Sequence, residues 1–242
     1  MAADYNTARF RRAFSLIVDV VIPARDEIVS LPKVLADLPR ERVRDVIVVD
    51  NGSTDGTAAA AASRGCVVVF EPRRGYGSAC LAGLAHLAAR SSPPDVVAFL
   101  DADHSDHADE LPRLLAPIFE GRADFVVGSR SLGTSERGAL LPQQRFGNAL
   151  AAFLIRRLYG AIVTDLGPFR AIRWDALSTL GLCDRDYGWT AEMQVKALKA
   201  GWRYAEVPVS YRRREGKSKI AGTLRGTVGA GVKILYTIFR YA

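Results

Sequence analysis

Through the first half of the chain, short runs of β-branched and aromatic residues alternate with stretches of helical spacing, and this alternation restricts the fold more than any other feature. Such a pattern gives parallel strands joined by crossover helices, because parallel neighbours cannot be linked by a tight hairpin. Strands are expected at residues 16–22, 46–49, 67–70, 96–100 and 125–127. Helices are expected at 31–38, 57–63, 78–89 and 109–119. The fold class is α/β, with a mainly parallel mixed central sheet flanked by helices.

Each apolar run stops in a polar cluster: "PARDE", "DNGSTDGT", "EPRRGYGSA", "DADHSD" and "GSR". Ligands of open α/β sheets sit beyond the carboxyl ends of the strands, so these clusters should line one crevice. The second half reads as a loop over 131–142, a helix over 143–159, a strand over 169–172 and a helix over 191–200. "YAEVPVSY" is expected at a sheet edge, since Pro208 lacks the N–H that a central strand needs. No Pro/Ser-rich linker and no internal repeat divides the chain, so one domain is expected.

At 49% hydrophobic residues the chain can bury a sizeable core. Cys66, Cys80 and Cys183 are scattered without a C-x-x-C, which suggests small apolar core residues rather than disulfides or a zinc ribbon. The net charge of +7 implies an anionic partner. No basic run interleaved with aromatics appears, so nucleic acid is not expected. No signal-like start and no apolar run of about 20 residues is present, so the expected location is the cytoplasm or a membrane surface.

Asp101 and Asp103 alternate at the end of the fourth run, where both can reach one ion. Their hard oxygens suit Mg²⁺ or Mn²⁺, especially when a diphosphate supplies the remaining ligands. The alternative is a solvated loop in which Asp106 or Asp109 caps the next helix. His104 and His107 could add to the metal shell or simply meet water. Asp50, at the end of the second run, can accept N–H bonds from a nucleobase, while Ser53 or Asp55 could cap the following helix. Arg73 and Arg74 stand beside two glycines ahead of a helix N-terminus, a combination that favours phosphate.

The ordered set "VVIPARDE", "VIVVDNGSTDGT", "RRGYGSA", "FLDADHSD" and "VVGSR" resembles family 2 glycosyltransferases of the GT-A, Rossmann-like fold. The resemblance implies an inverting, metal-dependent transfer from a nucleotide-sugar. By position it implies Pro23, Ala24 and Glu27 around base and ribose, Asp50 and Ser53 at the base edge, and Arg74 and Gly77 on the diphosphate side. Asp101 with Ala102 would lie near ribose or metal, and Asp103 would be the principal metal ligand. Asp26 departs from the Asn that many members carry.

The later segments "PQQRFGN", "DLGPFRAIRW", "AEMQVKALKAGWRYAEVPVSY" and "RRREGKSKI" resemble the dolichyl- and polyprenyl-phosphate mannosyl- and glucosyltransferases of that family. On this resemblance Arg130, Arg145, Arg213 and Lys219 converge on the phosphate of a lipid acceptor, although each taken singly could be a solvated surface cation. The donor would be a UDP- or GDP-hexose. Residues 1–130 would form the nucleotide-sugar half, 131–221 the acceptor half and 222–242 a C-terminal amphipathic helix. A phosphate acceptor needs no general base. A hydroxyl acceptor would, and Glu192 is the nearest candidate, with Asp186 weaker; otherwise Glu192 would orient a sugar hydroxyl or pair with an arginine.

In the closing segment Leu224, Val228, Val232, Leu235 and Ile238 or Phe239 recur near helical spacing, with Arg225, Lys233 and Arg240 among them. A helix lying on the cytoplasmic face of a membrane fits this pattern, as does one packed on the domain or in a dimer.

Overall fold

The computed structural model describes residues 16–215 and 224–242. A seven-stranded sheet runs through the molecule, and its strands are β1 (Val18–Ala24), β2 (Asp45–Asp50), β3 (Val67–Phe70), β4 (Val96–Phe99), β5 (Phe125–Ser129), β6 (Arg170–Arg173) and β7 (Tyr204–Pro208). Their spatial order is β3-β2-β1-β4-β6-β5-β7. β3, β2, β1 and β4 are parallel, β6 is antiparallel to both β4 and β5, and β7 is parallel to β5. From β1 the chain moves outward to β2 and β3, then crosses back to place β4 on the other flank of β1. That reversal opens a crevice at the carboxyl ends of β1 and β4.

The helices are α1 (Leu31–Asp37), α2 (Thr57–Ala62), α3 (Tyr76–Ala88), α4 (Leu111–Phe119), α5 (Pro142–Tyr159), α6 (Trp174–Thr179), α7 (Trp189–Lys199) and α8 (Leu224–Arg240). Alternation along the strands sends side chains to opposite faces. Val20, Ile22, Val46 and Val48 pack with Leu31, Val34, Leu111 and Leu114 of α1 and α4 on one face. Val21, Ile47, Val49 and Phe99 pack with α3, α6 and α7 on the other, around the buried Trp189. A separate apolar cluster of Ala151, Ile155, Val195 and Ile238 joins α5 and α8 to α7.

Several boundaries differ from expectation. β1 continues through Pro23 and Ala24 because both stay in register with Val49 and Asp50. β6 begins at Arg170 rather than residue 169, and α7 begins at Trp189 rather than residue 191. The short α6 was not anticipated. β7, with its proline, does lie at the edge of the sheet. Cys66 and Cys80 are buried, but Cys183 is exposed and corrects the expectation of a core residue.

α3 approaches the sheet closely at Gly83, where a Cβ would fall 2.7 Å from Val21 Cγ1. Gly83→Val should therefore lower stability by about 1–3 kcal/mol in denaturant unfolding. At the other end of the sheet the buried Asp124 accepts from Arg203 Nε (2.8 Å) and Nη2 (2.6 Å). These bonds hold its carboxyl below the ordinary value of 3.8. A depressed carboxyl contributes stability above its unfolded pKa and loses it as pH falls. Asp124→Asn should cost about 1 kcal/mol at neutral pH, because Arg203 is largely exposed. The gap from the parent should close as the pH falls below 3.8 in thermal scans.

Candidate active site

A cleft of about 290 Å³ opens at the carboxyl ends of β1 and β4, lined among others by Pro23, Ala24, Glu27, Asn51, Arg74, Tyr76, Asp101, Ala102, Asp103 and Arg214. The "PARDE" and "DNGSTDGT" turns form its floor by bonding to each other. The N–H groups of Asp26, Glu27 and Ile28 donate to Ser53 Oγ (3.0 Å), Thr57 Oγ1 (2.8 Å) and Asp55 Oδ2 (3.1 Å). Asp26 has φ +50°, a left-handed conformation that Asp and Asn tolerate. Asp50 Oδ1 accepts from Ser53 N–H at 3.0 Å. Asp50 and Ser53 thus build the turn and stand behind the residues that line the cleft.

Asn51 was not anticipated. Its side-chain amide donates to the carbonyls of Glu71 (2.9 Å) and Arg73 (2.8 Å) and accepts from Gly75 N–H (2.9 Å). One side chain therefore sets the course of the "RRGYG" turn that carries Arg74. The glycines of that turn also permit a close approach of a second loop. A Cβ at Gly75 or Gly77 would lie 2.2 Å from the carbonyl oxygen of Arg185 or Asp184, respectively. They admit the loop before α7, whose Arg185 carbonyl accepts from Ser78 N–H at 2.9 Å. Gly77 is consequently a packing position outside the cleft lining, while Asp186 and Tyr187 of that loop reach the lining.

Acidic groups crowd the far wall. Asp103 Oδ1 accepts from Ser105 N–H (2.9 Å) and Ser105 Oγ (2.5 Å). Burial, followed by the charges of Asp103 and Asp106, pushes the Asp101 carboxyl well above the ordinary carboxylate range. Burial and Asp103 push Asp106 up to about 7. Asp101 Oδ1 and Asp106 Oδ1 are buried without a hydrogen-bond partner. Hard, crowded, partly unpartnered carboxylate oxygens fit a divalent cation. Among the described residues no group of three His, Cys, Asp or Glu converges as a metal shell. Asp101 and Asp103 would thus leave further ligand positions to a bound molecule.

His104 is turned away from this wall. With φ +62° its ring lies between Asp37 Oδ2 (3.0 Å from Nε2) and Glu215 Oε1 (3.2 Å from Nδ1). His107 lies 3.6 Å from Asp109. Both ring nitrogens of His104 are therefore engaged away from the aspartate pair.

A second, larger cavity of about 800 Å³ adjoins α5 and α8, with Arg130, Arg145 and Arg156 beside Leu140, Val163, Leu166 and Ile234. Asp106, beside the acidic pair in the chain, bridges to Tyr211, and the guanidinium of Arg130 on the larger cavity's lining sits 5.1 Å from the centre of the Tyr211 ring. Arg130 does not present an open fork, since Asp165 accepts from its Nε (2.8 Å) and Nη2 (2.6 Å). Burial alone would lower the Arg130 pKa, but Asp165 outweighs it and keeps the group charged.

Arg213 is not brought to either cavity lining; its guanidinium donates to the Arg137 carbonyl at 2.8 and 2.6 Å. Lys219 lies outside the described residues. Glu192 is also elsewhere: fully buried, it accepts from Asp184 N–H (2.7 Å), Lys196 Nζ (2.7 Å) and Tyr241 Oη (2.9 Å). Burial would raise its pKa, but these bonds outweigh it and hold the carboxyl low. It pairs with a lysine, not an arginine, and anchors the loop before α7.

Around the larger cavity large apolar side chains are exposed on both helices and the loop after α5: Phe146, Phe153 and Ile162, then Val228, Val232, Tyr236 and Phe239. α5 is tied to α8 by Tyr159 Oη, which donates to the Ile238 carbonyl at 2.6 Å. The expected stripe on α8 is thus divided: Val228, Val232 and Phe239 are exposed, Leu235 is half-buried, and Ile238 is buried against α5 and α7. The side chains of Leu224 and Arg225 lie outside the described residues. No described helix is long and apolar enough to cross a membrane.

The model of glycosyl transferase family 2 matches residues 19–181. An uncharacterized glycosyltransferase of Mycobacterium tuberculosis is 43% identical over 213 residues, covering 87% of this chain and 93% of that one. An undecaprenyl-phosphate mannosyltransferase of Micrococcus luteus is 33% identical over 225 residues, covering 88% and 89%. Among solved structures, glucosyl-3-phosphoglycerate synthase from M. tuberculosis, crystallised with Mn²⁺, UDP and phosphoglyceric acid, superposes with a TM-score of 0.73 at 22% identity, over 96% of this chain and 81% of that one. With the sheet order and the motif-bearing turns described above, these likenesses place the chain in glycosyl transferase family 2, as a glycosyltransferase of the GT-A fold.

Proposed function

We propose that this enzyme moves a hexose, with inversion, from a UDP- or GDP-sugar to the phosphate of a polyprenyl or dolichyl lipid at the cytoplasmic face of a membrane. The observation that carries this reading is the presence of two cavities of different chemistry, one walled by carboxylates and the other by arginines and apolar side chains. The M. luteus relative, named for transfer to undecaprenyl phosphate, supports the lipid acceptor.

In the smaller cavity Pro23, Ala24 and Glu27 would border the nucleoside and Arg74 the diphosphate. Asp101 and Asp103 would hold Mg²⁺ or Mn²⁺, which when bound neutralises charge developing on the leaving diphosphate. Arg145, with Arg156 and the anchored Arg130, would attract the acceptor phosphate into the larger cavity. A phosphate oxygen, already anionic, attacks the anomeric carbon as the bond to the nucleotide diphosphate breaks. No proton has to be removed, which agrees with the engagement of Glu192 by Lys196 and the loop before α7. The role of the chain is then to align the two reactants, an effect worth several kcal/mol, roughly 7 or more in favourable cases. The apolar ridges of α5 and α8, with Arg145, Arg156 and Lys233 near them, suit a helix pair lying in an anionic headgroup layer.

Asp103→Asn should reduce hexose transfer by about 10²-fold or more with the circular dichroism spectrum unchanged, and a variant of undiminished activity would remove the metal role. Labelled product should partition into organic solvent and release its sugar in mild acid, as a glycosyl phosphate does; an acid-stable product would instead indicate a hydroxyl acceptor. Asn51→Ala should lower stability by about 1–3 kcal/mol, because buried partners lose their bonds. It should also raise the KM for the nucleotide-sugar.

A further inference from the structure

The segment 211–215 lies across the acidic wall of the smaller cavity as a strap. Its main chain is tied to the acidic turn at both ends, by Arg212 N–H to the Ser105 carbonyl (3.0 Å) and Glu215 N–H to the Asp103 carbonyl (2.9 Å). Its flanking side chains are anchored on α1 and beyond: Arg212 to Asp37 at 2.8 Å, and Glu215 to Lys33 at 2.6 Å. Arg214 between them points inward and lines the cavity. Its Nη1 lies 3.4 Å from Asp103 Oδ2, and its Nη2 lies 3.4 Å from Glu27 Oε1. Its Nε is buried without a hydrogen-bond partner.

The chemistry of Asp103 makes this placement informative. Oδ1 is occupied by both donors of Ser105, so Oδ2 is the oxygen turned to an incoming ligand. Arg214 covers that same oxygen. A divalent cation and a guanidinium cannot share it, because like charges at contact distance repel strongly in a partly buried cleft. Without Arg214 that oxygen would lose its ion pair in a wall where Asp101, Asp103 and Asp106 already crowd one another.

We propose that Arg214 is the built-in counter-cation of the metal-free cleft, and that a divalent cation binds Asp103 by displacing it. Arg214 is thereby a positioning residue that keeps the acidic wall formed until metal and donor arrive. This rests on the reading of Asp101 and Asp103 as the cation site.

The test is Mn²⁺ binding in the absence of nucleotide, followed by electron paramagnetic resonance of the free ion, for the parent, Arg214→Met, Arg214→Lys and Asp103→Asn. Arg214→Met, neutral and of similar reach, should bind Mn²⁺ about tenfold more tightly than the parent, the change expected on removing one nearby positive charge. Arg214→Lys, which keeps the charge, should stay near the parent. In metal-free buffer Arg214→Met should melt below the parent and recover when Mn²⁺ is added. If Mn²⁺ binding depends on Asp103 but Arg214→Met binds it no more tightly, Arg214 merely braces the strap and the exchange is refuted. If Asp103→Asn binds Mn²⁺ as well as the parent, or no variant binds it, the cation site itself falls and the exchange with it.

Discussion

Carboxylate crowding at the end of β4 is the constraint around which the rest of this structure is arranged. Asp101, Asp103 and Asp106 are packed within a few residues at the tip of a buried strand, where burial and neighbouring carboxylates oppose the ionisation of Asp101 and Asp106. A fold that gained nothing from such a cluster would replace it, since apolar residues in its place are often neutral or stabilising. Here the neighbouring elements are built to tolerate it. Ser105 donates twice to Asp103, the Asp101 N–H donates to Asp106, and an arginine from a distant segment reaches over the wall.

The sheet reversal explains why this cluster faces a nucleotide-sized opening. β1 and β4 are neighbours, yet their chain connections leave in opposite directions, so the turns after them diverge. Pro23 and Ala24 come from one, Ala102 and Asp103 from the other, and Asn51 fastens the turn from β3 against them. The geometry of the cleft is held by bonds between motif side chains and backbone carbonyls and amides. The double contact of Asn51 with Glu71 and Arg73 is the clearest instance.

What could be read from the sequence followed from locality. Strand runs, their polar ends and the edge position implied by Pro208 depend on a few adjacent residues, and they reappear with small shifts. What could not be read depends on distant partners. Nothing near "FRAIRW" signals that β6 runs antiparallel between β4 and β5, because that direction is set by how the chain returns from α5. The close approach of the Asp184 carbonyl to Gly77 comes from a residue more than a hundred positions away. Nor does the sequence around Glu192 show that Lys196 and Tyr241 both bond to it. Arg214 was one of three adjacent arginines, and only the pairing of its strap with the acidic turn separates its role from that of Arg213.

The insertion of β6 also bears on how enzymes of this type can diversify. The segments before and after residue 130 are not separable along the chain, because β6 completes the hydrogen bonding of β4 and β5 from between them. A recombination point near residue 130 would have to import a β6 that fits two foreign neighbours at once. Variation is therefore more accessible through exchanges on the outer faces of α5 and α8, which are bound by no sheet register, than through the shuffling of whole halves.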